Sequence, residues 1–419
     1  MTNKALKSKL FSNSVYLYIA QIFNTIIPLL TLPYITRILG DAQYGLFSKI
    51  LNYIIYFQAV VEYGFNLAGA RKISLCNSES ERNKIFSSIM YSKILLFFLS
   101  SVVIGVLLLF VVETSTYRLC MLILGLLLIS EVFTQTWFLH GLQHMKVVMF
   151  ISVIARTLST LFIFLFVKSP DDLLLYALLY VVTNIFTAII GTIIVMHKFK
   201  AKFLKFNWID IKNSLQDGWS LFMTSFASKL CSGFSITVLG ILGIADSIIG
   251  GYSAVQKIPY ILVMLFAPIG QGLYPYICRL YVKDTAQGIK TLKLIAIGVL
   301  GVCLLGVIFL IFMRGFIIQL LYGEGYKQYS YLVIPLACWL FLSIANNFLG
   351  IQVLVARGYQ KQYGYCFIIS LVFLIVLNLL GGYLFGAFGV AIATMLSEGV
   401  LTICCLIVIL KNKLLKYNE

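Results

Sequence analysis

Charged residues are scarce in this chain. Asp, Glu, Lys and Arg make up 11% of its 419 residues, whereas they form about a quarter of an ordinary soluble domain. Acidic residues are scarcest, with 15 Asp and Glu against 32 Lys and Arg. Hydrophobic residues account for 61% of the chain. A soluble fold could not bury so much apolar surface, so the composition excludes the soluble globular classes.

Metal-binding patterns are also lacking. The nine cysteines are scattered, without CxxC spacing, and are expected to behave as small apolar residues. Only three histidines occur, and His140 and His144, four positions apart, are the single pair that could share a helix face. No carboxylate accompanies them in the sequence, so we expect a surface role for them and no metal site.

Long apolar runs are the feature that is present throughout. Each is about twenty residues, enough for a helix to cross the ~30 Å hydrocarbon layer. We therefore expect an all-α integral membrane protein with about twelve transmembrane helices and no soluble domain. The predicted spans are residues 12–36, 44–68, 88–112, 117–140, 147–168, 172–196, 218–243, 249–275, 291–313, 330–354, 364–385 and 389–410.

The basic residues indicate the orientation. In this twelve-span topology, 22 of the 32 Lys and Arg fall on the side that carries both termini, and six fall on the other. The positive-inside rule then predicts that both termini are cytoplasmic. Topology and contact with anionic membrane lipid account for much of the net charge of +17, so we expect no nucleic acid partner.

A repeated segment indicates internal duplication. Ile38-Leu39-Gly40 and the following Tyr44–Ser48 resemble Ile241-Leu242-Gly243 and Ile249–Ser253, with Gly45 and Gly250 placed 205 positions apart. Two further matches have similar offsets. They pair Glu62–Arg71 with Gly270–Arg279, and Gly141–Lys146 with Gly358–Lys361 at an offset of 217.

Six spans per repeat return the chain to the same side of the membrane. Such repeats are parallel copies related by an axis along the membrane normal. The sequence therefore predicts two parallel six-helix bundles, residues 1–210 and 211–419, around a central cavity. Rocking the bundles against each other would open this cavity to either side in turn.

Basic residues within or near the spans predict an anion site. A charge at bilayer depth costs ~2.5 to 3.5 kcal/mol on insertion scales, so these side chains are not expected to face lipid. The repeat aligns Lys257 with Asn52, one helical turn from Lys49, which makes the two lysines a pseudo-symmetric pair. The alternatives are structural pairing with carboxylates or snorkelling from helix ends. The candidate anion-binding residues are Lys49, Lys229, Lys257, Arg156 and Arg37.

Polar and acidic residues complete the predicted cavity. Carboxylates in spans are candidates for proton or sodium coupling, although ion pairing with the bases is an equal alternative. These carboxylates are Glu62, Glu131 and Glu398. Amide and hydroxyl side chains could contact sugar hydroxyls or join helices. The candidate sugar-contacting or cavity-lining residues are Gln21, Asn24, Thr25, Asn52, Tyr56, Ser228, Asn346 and Asn347.

Several of these segments together resemble a known family. Pro33–Gly40 with Tyr44-Gly45, followed by Glu62–Leu67 and Ala70-Arg71, is similar to the N-terminal signature of bacterial O-antigen and polysaccharide flippases of the Wzx type. These belong to the multidrug/oligosaccharidyl-lipid/polysaccharide exporter superfamily. Gly250 with Tyr252-Ser253 resembles a second-half counterpart.

The resemblance implies a transporter rather than an enzyme. Its expected activity is alternating-access translocation of an undecaprenyl-pyrophosphate-linked oligosaccharide, such as an O-antigen or capsule repeat unit, from the inner to the outer leaflet of the bacterial cytoplasmic (inner) membrane. Lys49 and Lys257 occupy positions where the related peptidoglycan-precursor flippases place lumenal arginines. No cofactor beyond a proton or sodium gradient is implied, and the polysaccharide polymerase and chain-length machinery are implied partners.

Two other functions are alternatives for a chain of this composition. A cation-coupled multidrug exporter of the same superfamily would need an acidic cavity, whereas bases outnumber acids within these spans. A membrane polysaccharide polymerase usually carries a large external loop with catalytic residues, whereas every predicted outer loop here is short.

Overall fold

The computed structural model describes residues 3–110 and 114–414; among residues 1–28 it describes the side chains of Tyr16, Gln21, Phe23 and Ile27 alone. All of its regular elements are helical over these ranges. Contacts within the chain divide it into two units, Met1–Gly233 and Phe234–Glu419. The predicted bundle boundary after residue 210 stays a prediction.

Fourteen α-helices lie in the described ranges. The first nine are α1 Asn3–Glu62, α2 Phe65–Leu75, α3 Glu79–Phe110, α4 Ser115–Gly125, α5 Leu127–Phe133, α6 Thr136–Gly141, α7 Met145–Phe166, α8 Leu173–His197 and α9 Trp208–Ile241. The other five are α10 Asp246–Lys283, α11 Thr285–Phe312, α12 Arg314–Tyr322, α13 Val333–Asn346 and α14 Gln360–Lys411. Short 3₁₀ segments cover Pro170–Asp172 and Glu324–Leu332, and a π-helical segment covers Asn347–Val355.

The helical membrane architecture is confirmed. Nine helical stretches in the described part of the chain are long and apolar enough to cross a membrane. They include α14 as one stretch and do not include α1. Two of the longest helices are broken internally, α1 at Gly40 and α14 at Gly386. Twelve crossings require that α1 and α14 each cross the membrane twice, and the count of twelve stays a prediction.

Glycines at equivalent repeat positions break α1 and follow the end of α9. Gly40 has φ 73° and Gly243 has φ 67°, a left-handed conformation that residues with a Cβ rarely adopt. After Gly243, the amide of Ile244 donates to the carbonyl of Leu239 at 3.1 Å, which satisfies a terminal carbonyl of α9. The repeated Leu-Gly sequence therefore supplies a glycine of positive φ both at the break in α1 and after the end of α9.

The third repeated segment also forms one kind of turn twice. Gln143 (φ 58°) and Gly358 (φ 88°) are left-handed, and the next residue in each case, His144 or Tyr359, donates its amide to the carbonyl five residues earlier at 2.9 and 2.8 Å. These turns are 215 positions apart, whereas letter matching aligned the segments at 217. The sequence alignment pairs Gly358 with Gly141, two residues before its structural equivalent Gln143. The turn requires a positive φ at this position, which Gln143 adopts although it is not a glycine.

A tyrosine-rich segment packs inside the second unit. Tyr326 and Tyr329 are buried in the 3₁₀ segment, and the hydroxyl of Tyr322 donates to the carbonyl of Ala254 on α10 at 2.9 Å. A Cβ on Gly251 of α10 would lie 2.3 Å from the Tyr329 ring, so glycine is required for this contact. Gly251, which aligns with Leu46 of the first repeat, thus allows a close approach between elements of the second unit.

Candidate functional site

Lys257 is the basic residue whose surroundings most favour a ligand. It lies on the apolar helix α10, is exposed, and makes no hydrogen bond, ion pair or ring contact with any residue that the structure describes. An ammonium group in an apolar span requires water or an anion nearby, because contact with hydrocarbon alone is costly. Three prolines, at positions 259, 268 and 275, follow it within the same helix.

Its predicted partner, Lys49, has different surroundings. Lys49 is buried, with 7% of its surface exposed, and its ammonium lies 5.2 Å from the centroid of the Tyr117 ring on α4. This cation–π contact partly compensates for the loss of hydration. Lys49 and Lys257 therefore differ: Lys49 contacts an aromatic ring of the first unit, whereas Lys257 has no partner among the described residues.

Lys229 on α9 pairs with Glu62 at the end of α1. The Lys229 Nζ lies 3.3 Å from Glu62 Oε2; the Lys229 side chain is 37% exposed and that of Glu62 is 8% exposed. An ammonium group has three donors, and this pair uses one of them. Lys229 can therefore hold its carboxylate partner and still donate to a second anion.

Lys93 forms a second ion pair that serves a structural role. Only 1% of the Lys93 side chain is exposed, and its Nζ lies 3.7 Å from Glu131 Oε1. The same ammonium donates to the carbonyls of Glu131 (3.0 Å) and Thr134 (3.4 Å) at the C-terminal end of α5. It neutralises Glu131 and satisfies carbonyls that α5 leaves unpaired. The sequence prediction named Glu131 as a candidate residue but did not include Lys93 in the predicted anion site.

The two ion pairs form one charge cluster. Lys93 and Glu131 each interact electrostatically with Glu62 and with Lys229. Two ammonium groups and two carboxylates therefore balance within the first unit, which is the arrangement expected for charges removed from water.

The amide of Asn52 fixes the second half of α1 to α9. Its Nδ2 donates to the carbonyl of Gly233 at 3.1 Å and to the Tyr56 hydroxyl at 3.3 Å. A Cβ on Gly233 would lie 2.1 Å from Asn52 Oδ1, so the contact depends on glycine. Asn52 is 7% exposed, and a helix-joining role fits its position.

Asn346 and Asn347 contact other helices in the second unit. Asn346 Nδ2 donates to both the backbone carbonyl and the Oε1 of Glu398 on α14, each at 3.0 Å. Thr402 donates to the side-chain oxygen of Asn346 at 2.9 Å. The Asn347 amide lies against Gly270 of α10. The carboxylate of Glu398 has no cation within ion-pair distance among the described residues.

The other predicted site residues are more dispersed. Ser228, Arg37 and Gln21 are exposed, and Arg156 is half-buried. Asn24 and Thr25 lie outside the residues whose side chains are described. In the described ranges, no group of three or more His, Cys, Asp or Glu side chains is placed to hold a metal ion.

Comparison with known sequences adds a family to this geometry. Residues 10–281 match the family model described as "Polysaccharide biosynthesis protein". A protein of Escherichia coli (strain K12) named "Putative O-antigen transporter" is 27% identical over 98% of this chain and 99% of its own length. A Shigella dysenteriae protein of the same name is 25% identical over 92% and 96%.

Solved structures share the fold. The lipid II flippase MurJ in an inward closed conformation superposes with a TM-score of 0.69 at 16% identity, covering 95% of this chain and 87% of that one. An inward-facing multidrug resistance MATE transporter of the MOP superfamily gives 0.62 at 13% identity, covering 93% and 97%. The prediction of a transporter rather than an enzyme is confirmed, since the relatives are named as transporters and flippases.

Proposed function

This chain belongs to the polysaccharide biosynthesis protein family, the family that its Wzx-type motifs indicated, and on that premise we propose that it flips an undecaprenyl-pyrophosphate-linked oligosaccharide. The translocation would run from the inner to the outer leaflet of the bacterial cytoplasmic membrane, with both termini on the cytoplasmic side. The lipid tail stays in the bilayer while the pyrophosphate and sugar pass through the cavity predicted from the sequence.

The observation that carries this proposal is the unpaired ammonium of Lys257. A pyrophosphate diester carries negative charge into a site of low dielectric, where each nearby cation stabilises it more strongly than in water. Lys257 on α10 is exposed and has no partner in the described part of the chain. We assign it the first contact with the pyrophosphate.

Lys229 and Lys49 have secondary roles in this proposal. Lys229 donates to the phosphate while it keeps its contact with Glu62. Lys49 is buried against Tyr117 and contributes positive potential rather than a direct bond. Arg37 and Arg156 remain weaker candidates for guiding the anion. A lysine acts as a point charge, so the site would tolerate variation in phosphate geometry.

The polar residues divide into two groups. Exposed Ser228 and Gln21 are the better candidates for sugar contacts, whereas Asn52 and Asn346 are buried and already bonded to other helices. If transport is coupled to a proton or sodium gradient, Glu398 is the best candidate, because Glu62 and Glu131 each already pair with a lysine.

Complementation of a flippase-null strain tests the proposal. We expect Lys257→Ala to lower surface polysaccharide at least tenfold, and Lys49→Ala to lower it less. Lys283→Ala, which removes an exposed lysine from the end of the same helix, is the matched control and should keep full activity. Full complementation by the Lys49→Ala/Lys257→Ala variant, at wild-type protein level in the membrane, would remove both residues from the mechanism.

A further inference from the structure

A cleft of about 370 Å³ in the first unit is not explained by flipping. It lies between the first turns of α3 and the segment that joins α8 to α9, and it contains none of the residues assigned to the pyrophosphate. Lys84, Ser87 and Tyr91 line one wall, and Lys205, Phe206 and Asp210 line the other.

Side chains of α3 hold the joining segment in place. The Ser87 hydroxyl accepts from the Leu204 amide at 2.7 Å and donates to the Lys202 carbonyl at 3.2 Å. The Tyr91 hydroxyl donates to the Leu204 carbonyl at 3.0 Å. The Lys202 amide donates to Asn83 Oδ1 at 3.0 Å. These bonds make the cleft a preformed feature, since its second wall is fixed by the first.

The cleft carries excess positive charge. Its single carboxylate, Asp210, is already matched by Lys84 Nζ at 3.0 Å and by Asn207 Nδ2 at 3.1 Å. The ammonium of Lys205 has no partner among the described residues. Four more lysines lie on the joining segment and the start of α9, at positions 198, 200, 202 and 212. The uncompensated charge favours an anion.

The rim of the cleft has the character of a membrane interface. Phe206 is 60% exposed and Trp208 is 55% exposed, with ring centroids 6.4 Å apart. Aromatic side chains next to lysines are typical of the level at which lipid headgroups meet the hydrocarbon. A small soluble anion has no apolar part that could pack against these exposed rings, whereas a lipid has.

We propose that this cleft binds the headgroup of an anionic phospholipid of the inner leaflet. The phosphodiester lies between Lys84 and Lys205 and accepts from both ammonium groups. The glycerol and the upper acyl chains rest on Phe206, with Trp208 beside it in the interface. The site is separate from the pyrophosphate site, so the proposed flippase activity and this lipid site can fail independently.

Native mass spectrometry of the purified full-length protein tests this site, with phosphatidylglycerol as the probe and phosphatidylcholine as the zwitterionic comparison. A lysine near an anionic lipid surface contributes roughly fivefold in affinity. We expect the dissociation constant for phosphatidylglycerol to rise about fivefold in Lys205→Gln and roughly 30-fold in Lys84→Gln/Lys205→Gln. Lys205→Gln breaks no contact among the described residues, so it should fold normally.

The control variant is Lys283→Gln/Lys290→Gln, which removes the same charge from two exposed lysines elsewhere. It should bind phosphatidylglycerol as the wild type does. The site would be overturned if all three variants bound phosphatidylglycerol as tightly as the wild type does. It would also be overturned if the control variant lost as much affinity for phosphatidylglycerol as Lys84→Gln/Lys205→Gln. Inorganic phosphate is the second probe, and it should not displace the lipid at millimolar concentration; displacement would overturn the assignment to a lipid.

Discussion

Lys257 and Lys93 are both lysines on apolar helices, yet their surroundings are opposite. Lys93 is enclosed, with 1% of its side chain exposed, and its charge is matched by Glu131 and two backbone carbonyls. Lys257 is exposed and has no partner within the described ranges. The first arrangement is that of a structural ion pair, and the second is that of a ligand-binding residue.

The pair of Lys93 and Glu131 gives a prediction at the residue scale. Glu131→Gln alone removes the carboxylate that lies 3.7 Å from the buried ammonium of Lys93, and it should lower the free energy of unfolding by ~3 to 5 kcal/mol. Lys93→Met/Glu131→Gln removes both charges at similar volume and should recover most of that loss. Thermal unfolding of the purified variants measures the difference.

Transport by the double variant then separates structure from coupling. If the pair is structural, the double variant should transport at close to the wild-type rate. A double variant that melts at the wild-type temperature but does not transport would instead give Glu131 a part in ion coupling.

At the scale of elements, the first half of α9 packs against the end of α1 and against α2. Contacts within the chain assign α9 as far as Gly233 to the first unit, and the predicted bundle boundary after residue 210 stays a prediction. Lys72 Nζ lies 2.7 Å from Asp217 Oδ2. The ring of Tyr63 stacks on Phe222 at 4.5 Å. The Glu-Tyr-Gly motif at the end of α1 thus serves as the contact surface for the first half of α9.

The glycine of this motif supplies a matched pair of variants. Gly64 has φ 69°, and a Cβ there would lie 2.7 Å from the Phe222 amide nitrogen. Gly64→Ala should lower the free energy of unfolding by at least ~1 to 2 kcal/mol, from the left-handed backbone alone. Its repeat counterpart, Gly272, lies in the interior of α10 with open space around it. Gly272→Ala should be neutral or raise the stability by ~0.5 to 1 kcal/mol.

Chemical and thermal unfolding in detergent compares the two alanine variants. Equal stability of Gly64→Ala and the wild type would contradict the left-handed backbone at Gly64 and its close contact with α9.

The sequence predicts these elements unequally. Apolar run length places the breaks near Gly40, Gly243 and Gly386 correctly, because a turn between two spans interrupts the hydrophobic pattern. It misses the break at Tyr63 and Gly64, inside the predicted span 44–68, because that break depends on α9, a tertiary contact that local periodicity does not contain. The apolar pattern also gives no sign of the π-helical segment Asn347–Val355.

Candidate site residues show the same limit. The cost of a charge at bilayer depth identifies Lys49, Lys229 and Lys257 from the sequence, because each lies in or next to a long run of apolar residues. Which of them has a partner is decided by helices far away in the chain: Glu62 is 167 positions from Lys229. Asn346 is buried and donates to Glu398, which lies 52 positions further along the chain, so no local pattern could indicate this contact.

At the scale of the whole molecule, the protein is a multi-pass helical membrane protein of the polysaccharide biosynthesis family with the fold of MOP-superfamily transporters. That fold is shared with multidrug exporters, so the fold alone does not choose the substrate. The choice rests on charge: Lys257, which lies on an apolar helix and has no partner in the described chain, is suited to an anion and would repel an organic cation.

Flipping by the purified protein in liposomes tests this central claim most directly. The substrate is an undecaprenyl-pyrophosphate-linked oligosaccharide loaded inside, and its arrival in the outer leaflet is read by a sugar-binding lectin. We predict transport above that of empty liposomes, at least a tenfold lower rate in Lys257→Gln, and wild-type transport in Lys283→Gln. Transport no faster than in empty liposomes, or an undiminished rate in Lys257→Gln, would contradict the account.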